Sequence, residues 1–169
     1  MTAPTHEQSL AGRPLTRRAY PELAGRPFLD EVLELFRCVR DHDHDTLSRL
    51  CDDDFGIVDV DTDGSARVIR DRAGWEDWFT GLFARLTAGG MRTDTVVDAL
   101  DGLVSGDLGY AVCEFTQLLE VAGHVARFRC ITTIVFKRVD GRWVESRWHA
   151  STLSAEVPEA LARLQAGEG

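Results

Sequence analysis

The C-terminal half of the chain reads as long strand-like segments joined by tight turns, and this feature limits the fold most. Leu108 to Val121, Val125 to Val139 and Trp143 to Leu153 are separated only by Ala122-Gly123 and Asp140-Gly141. Thr93 to Leu100 precedes them, with Ser105-Gly106-Asp107 as a turn. Strands usually run about five or six residues. Runs about twice that length must twist and curve, and two-residue turns force consecutive runs to pair antiparallel. A curved meander has a concave side that something must cover.

The N-terminal half supplies the cover. Phe28, Val32, Leu35, Phe36 and Val39 recur at helical spacing, with Asp30, Glu31, Glu34, Arg37 and Arg40 on the other side and Pro27 in the expected first turn. Thr46, Leu47, Leu50 and Cys51 suggest a second short helix, and Phe55 to Val60 a strand that turns at Asp63-Gly64 towards Val68-Ile69. Asp71 is a plausible N-cap for the clearest period in the chain. There Trp75, Trp78, Phe79, Leu82, Phe83 and Leu86 form one broad aromatic face, ended by Gly89-Gly90. Helices followed by a meander predict an α+β domain. The expected form is a cone: a strongly curved antiparallel sheet of five or six strands on N-terminal helices, enclosing an apolar pocket.

A length of 169 residues suits one domain. Residues 1–26, rich in proline, arginine and glycine, read as a flexible tail, 27–153 as the domain, and 154–169 as a tail or short helix. The formal charge of −9 argues against nucleic acid and anionic membrane, both of which need clustered cations. No apolar run approaches the ~20 residues of a membrane span. Cys38, Cys51, Cys113 and Cys130 contain no C-x-x-C pair, so they read as buried thiols of a cytoplasmic protein. The run Asp41-His42-Asp43-His44-Asp45 invites a metal. Residues two apart on a helix point to different sides, so a solvated helix–helix turn is expected and no metal.

Leu50-Cys51-Asp52-Asp53-Asp54-Phe55-Gly56-Ile57-Val58-Asp59, Phe115-Thr116-Gln117, and Asp140-Gly141-Arg142-Trp143 followed by Trp148-His149-Ala150-Ser151 carry a resemblance. With this element order, residues 28–153 resemble the nuclear-transport-factor-2-like superfamily, its SnoaL-like branch and the association domain of calcium/calmodulin-dependent protein kinase II. The resemblance implies a cone-shaped fold and a homodimer formed through the outer sheet face, for which Ile131, Val135 and Trp143 are the expected stripe. Ketosteroid-isomerase-like members place a catalytic carboxylate at the position matching Asp59. The kinase domain's arginines match Glu114, Ile134 and Ala150 here, so that acid-binding cluster is absent.

Asp59 is the leading catalytic candidate, because a carboxylate facing an apolar cavity becomes a base for a proton next to a carbonyl. The bland alternative is a solvated strand-end aspartate beside Asp61 and Asp63. His149 is a second candidate, although alternation with Trp143, Glu145 and Arg147 places it off the apolar side holding Val144, Trp148 and Ala150. Two registers compete around Glu114. A two-residue turn sets Phe115 opposite Cys130 and Glu114 opposite Ile131, whereas the resemblance turns Glu114 towards the cavity, with Tyr110 on the same face; the resemblance is followed, because a dimerising sheet buries both faces and blurs alternation. Trp75, Trp78 and Trp148 read as core aromatics that also reach the cavity mouth. The expected function is a cofactor-independent lyase or isomerase, dehydratase- or cyclase-like, acting on a small hydrophobic carbonyl compound. The alternative is a non-catalytic ligand-binding or homo-oligomerisation module.

Overall fold

The computed structural model describes residues 19–165. A 3-10 turn at Pro21–Leu23 leads into helices α1 (Leu29–Asp41) and α2 (His44–Leu50), then strands β1 (Cys51–Val60) and β2 (Ala66–Ile69). Helix α3 (Arg72–Ala88) follows, then the meander β3 (Arg92–Ser105), β4 (Leu108–Val121), β5 (His124–Val139) and β6 (Arg142–Glu156), and a short helix α4 (Glu159–Gln165). The six strands form one curved sheet in the order β2-β1-β6-β5-β4-β3. All neighbours are antiparallel except β1 and β6, which run parallel. The sheet is therefore mixed, which corrects the wholly antiparallel expectation. β1 joins the free edge of the meander only after α1 and α2, and it arrives running the same way as β6.

The two-residue turns hold. Ala122 and Gly123 have φ of 50° and 82°, the two positive values that match the right-handed twist of a hairpin. They fix Phe115 opposite Cys130 and Glu114 opposite Ile131, so the register implied by the resemblance is corrected. Curvature comes from residues out of register: Asp98 in β3, and Ser146 and Leu153 in β6, each lie where the pairing shifts by one.

The concave face is filled by α1 and α3. Val32 and Leu35 from α1 and Trp75, Phe79, Phe83 and Leu86 from α3 are buried at the spacing the sequence predicts, and Cys38 joins them from α1. Asp71 caps α3 by accepting from the Gly74 N–H at 2.8 Å. Pro27 falls outside α1, because Phe28 occupies the N-cap position with φ 64°. From there its ring stacks on Phe136 at 4.2 Å and meets Trp143 edge-on at 5.1 Å. Two arginines fasten the helical layer. Arg72 donates to the Cys51 and Ser48 carbonyls at 2.9 and 2.7 Å, tying α3 to the end of α2 and the start of β1. Arg37 joins Glu34 to Asp43, the N-cap of α2, at 2.8 and 2.9 Å.

The acidic run at residues 52–54 belongs to β1, earlier than the strand expected from Phe55. The reason is electrostatic: on the convex face Asp52 pairs with Lys137 at 2.7 Å and Asp54 with Arg147 at 2.8 Å. Most of the expected N-terminal tail, residues 1–18, lies outside the described residues. Of the remainder, Leu23 is buried and the Tyr20 hydroxyl accepts from the Val97 N–H at 3.2 Å. Among the described residues no helix is long and apolar enough to cross a membrane.

At the narrow end of the cone, which buried Phe28 and Phe136 fill, Gly109 has the least room of the described glycines. A Cβ there would run into Phe28 Cζ and stand 2.7 Å from the Leu103 carbonyl oxygen. Gly109→Ala is expected to displace the Phe28 ring and cost about 1–3 kcal/mol as overpacking, read as a lowered denaturation midpoint.

Candidate functional site

Asp59 projects from the end of β1 onto the concave face in one cross-strand row. Ala150 of β6 is its neighbour in the sheet, and Thr132 of β5 is the neighbour of Ala150. Adjacent strands lie about 4.8 Å apart, so the carboxylate and the threonine flank a methyl group that fills little space. The row towards the narrow end holds Ile57, Trp148 and Ile134, and the row towards the rim holds Cys130 and Thr152. Asp59, Ala150, Thr152, Cys130, Phe115 and Trp148 are all only partly buried. The described helices thus leave this end of the concave face less covered than the narrow end, where Phe28 and Phe136 are buried.

Burial is the main influence on Asp59 and raises its pKa above the ordinary carboxylate value. Arg67, opposite it on β2, pulls the other way, and Asp61 adds to the rise. The Arg67 guanidinium also lies 5.4 Å from the centre of the Trp78 ring, which brings the edge of α3 to the same rim. Thr132 Oγ1 is buried and has no hydrogen-bond partner among the described residues. Asp59, Trp78 and Trp148 therefore lie at one end of the cone.

The other candidates lie elsewhere. Trp75 is fully buried behind this wall, with ring contacts to Phe55 at 5.6 Å and Phe79 at 5.1 Å. His149, paired with Thr133 and Val58, is exposed on the convex face. Tyr110 is 43% exposed there, between Leu103 and Val135. Glu114 shares that face and meets Arg129 at 3.8 Å, both side chains being largely exposed. The hairpin register turns Tyr110 and Glu114 away from Asp59, which corrects the cavity placement implied by the resemblance. The His-Asp run is engaged locally. Asp43 caps α2 and His42 caps α1, its ring stacked on Phe83 at 4.8 Å, while His44 packs beside Trp75 at 5.8 Å. The cysteines are free thiols. Burial pushes Cys38 up to about 11 and Cys113 to about 12, and raises Cys51 and Cys130 too, the opposite of an activated nucleophile.

Sequence reading missed Glu145. It is 1% exposed, and its Oε2 accepts a hydrogen bond from Trp148 Nε1 at 2.8 Å. Its Oε1 is buried without a hydrogen-bond partner among the described residues. In a regular strand, residues three apart face opposite sides. The extra residue Ser146 breaks the alternation and turns Trp143, Glu145 and Trp148 all inward. The sequence signal was the acid flanked by two tryptophans, legible only to a reader expecting the bulge.

Burial raises the Glu145 pKa from 4.5 to about 8, opposed by the Trp148 hydrogen bond. The folded protein then keeps a proton that the unfolded chain releases above pH 4.5, so stability falls as pH rises from there to about 8 and levels off beyond. Glu145→Gln is expected to remove up to about 1.4 kcal/mol of this loss per pH unit. Urea unfolding of both proteins across that range checks it, with the variant showing the flatter profile.

The family model described as the SnoaL-like domain matches residues 30–155. No curated protein matches the chain. Among solved structures it is similar to a nuclear-transport-factor-2-like protein with a cystatin-like fold from Novosphingobium aromaticivorans: TM-score 0.60, 19% identity, 80% of this chain and 83% of that one. It is similar to a hexachlorocyclohexane dehydrochlorinase, LinA-type3, from Novosphingobium barchaimii: 0.62 and 15% identity, over 77% and 86% of the chains. The beta subunit of the benzoate 1,2-dioxygenase of Burkholderia mallei also aligns: 0.64 and 13% identity, over 72% and 85%. At these identities the likeness concerns the fold. Because the family model spans most of the sequence and the fold agrees with it, the chain belongs to the SnoaL-like family of the nuclear-transport-factor-2-like superfamily.

Proposed function

We propose that the concave end around Asp59 is a pocket for a small hydrophobic carbonyl compound, and that Asp59 acts there as a general base, without metal or cofactor, in a lyase or isomerase reaction. The observation that carries this reading is the position of Asp59: a half-buried carboxylate on a wall that also holds Ile57, Ala150, Trp148 and Cys130, with Thr132 and Thr152 as its neutral polar groups. Partial desolvation makes a carboxylate more basic, while the Arg67 guanidinium opposite it favours the charged form. A ligand seated over Ala150 would place one atom at Asp59 and an oxygen towards the Thr132 hydroxyl, with Trp78 and Trp148 against its apolar body. A dehydrochlorinase with this fold is consistent with base chemistry here, since eliminating hydrogen chloride removes a proton together with a chloride.

The test is isotope exchange. Incubated in heavy water with cyclic ketones, the protein is expected to speed exchange of the hydrogens beside the carbonyl, followed by NMR. Asp59→Asn is expected to lower that rate by about a hundredfold or more while leaving the melting temperature nearly unchanged. Equal exchange in both proteins removes the catalytic reading. A small molecule carried through purification, seen by native mass spectrometry without any exchange activity, supports the non-catalytic pocket instead.

We also propose that the convex face pairs two copies of this chain. Leu103, Tyr110 and Val135 lie in one cross-strand row, with Val112 and Ile131 beside them and the exposed Glu114 and Arg129 at the margin. Such an arrangement suits a two-fold contact. Trp143 does not belong to the stripe, because the bulge at Ser146 turns it onto Phe28. Tyr110→Glu is expected to convert dimer to monomer in sedimentation velocity.

A further inference from the structure

Trp148 has a place in the proposed site that Asp59 does not explain. It sits in the row next to Ala150, between Ile57 and Ile134. Its ring meets Phe55 at 5.3 Å and Phe79 at 6.2 Å, both nearly perpendicular. The polar end of the indole is held by one contact, the 2.8 Å hydrogen bond from Nε1 to Glu145 Oε2. Glu145 is packed far from water in the core, and its second oxygen meets no donor among the described residues. An acid in that setting is tolerated as the neutral carboxyl and strongly disfavoured as the anion.

Among the described residues, the charged and titratable groups around Glu145 offer no compensation. Helix α1 presents the Cys38 thiol and the head of β1 the Cys51 thiol, both held neutral by burial. Helix α2 turns buried Leu47 into the core, β5 places Phe136 opposite Glu145, and α3 contributes buried Trp75. Arg72 of α3 acts on Cys51, but its donors are taken by the Ser48 and Cys51 carbonyls, the Ser48 hydroxyl and Glu76. Loss of the proton therefore forces the carboxylate to draw water inward or to swing out. Either movement disturbs the packing of Trp148 on Phe55 and Phe79.

We propose that Glu145 is a positioning residue for the concave site: its buried carboxyl holds the Trp148 indole as one wall, and ligand binding weakens when that carboxyl loses its proton. This rests on the reading of the concave end as a ligand pocket and deepens it by adding a proton-controlled wall. Glu145 touches no ligand. It acts through Trp148, and the rise of its pKa to about 8 puts the transition just above neutral pH.

The experiment has two readouts on the full chain. The first needs no ligand: tryptophan emission of the wild-type protein is followed through the pH transition. A shift with its midpoint near pH 8 is expected, absent in Glu145→Gln and in Trp148→Phe. The second uses N-phenyl-1-naphthylamine, a neutral apolar fluorophore. Its affinity for wild type is expected to fall about tenfold between about pH 7 and 9, as linkage to one proton requires, and to stay level in Glu145→Gln. If wild type and Glu145→Gln titrate alike, or if Trp148→Phe keeps the emission shift, the proposal is overturned. If the emission shift behaves as expected but the fluorophore binds at no pH, the positioning of Trp148 by Glu145 stands and the pocket reading falls. Should Glu145→Gln fail to fold, Trp148→Phe alone decides the first readout.

Discussion

The molecule depends on the bending of its long strands around two helices. Strands of 14 to 16 residues cannot lie flat and still bury α1 and α3 against one face. The bending is concentrated where Asp98, Ser146 and Leu153 fall out of register. Each extra residue also exchanges the two faces of its strand. In β6 that exchange brings Trp143 and Glu145 inward beside Trp148, so the curvature that shapes the concave end also selects the groups placed on it.

The two faces of the sheet follow different physics. The convex side carries charges in compensating pairs, such as Asp52 with Lys137 and Asp54 with Arg147, which water screens and which contribute little to stability. The concave side carries aromatic contacts running from Phe28 and Phe136 at the narrow end to Phe79 and Trp148 nearer the rim. Among the described residues Asp59 and Glu145 interrupt that apolar side, and their environments differ. Asp59 stands at the rim with Arg67 as a counter-charge, whereas Glu145 is sealed in with an indole as its hydrogen-bond partner. At Asp59 a cation opposes the effect of burial, whereas at Glu145 only the indole hydrogen bond does.

Much of this was legible in the sequence, for identifiable reasons. The aromatic face of α3 follows from a single period, and the pairing of β4 with β5 follows from Ala122-Gly123, because a two-residue turn permits one register. The position of Asp59 on the inner face followed from the family resemblance and agrees with the register of β1. Alternation failed where a residue was added. It put Glu145 on the same side as His149, and nothing local to Val144-Glu145-Ser146 marks the bulge. The reading of Glu114 failed for the opposite reason, since a likeness to relatives was preferred over the stricter geometry of the turn. The start of β1 was obscured because three aspartates look like a loop until their partners, Lys137 and Arg147, are supplied by strands about ninety residues further along.

The parallel pairing of β1 with β6 has a consequence for how the molecule comes to exist. Residues 56–60 meet residues 147–151, so the rim bearing Asp59 closes only after almost the whole meander has been made and folded. Joining such distant segments is entropically slow. Until it happens, the aromatic side of α3 has no sheet edge to shelter it at that end. A nascent chain halted before β6 would therefore present Trp75, Phe79 and Phe55 to chaperones or to one another, and the rim would be the last part to form during synthesis.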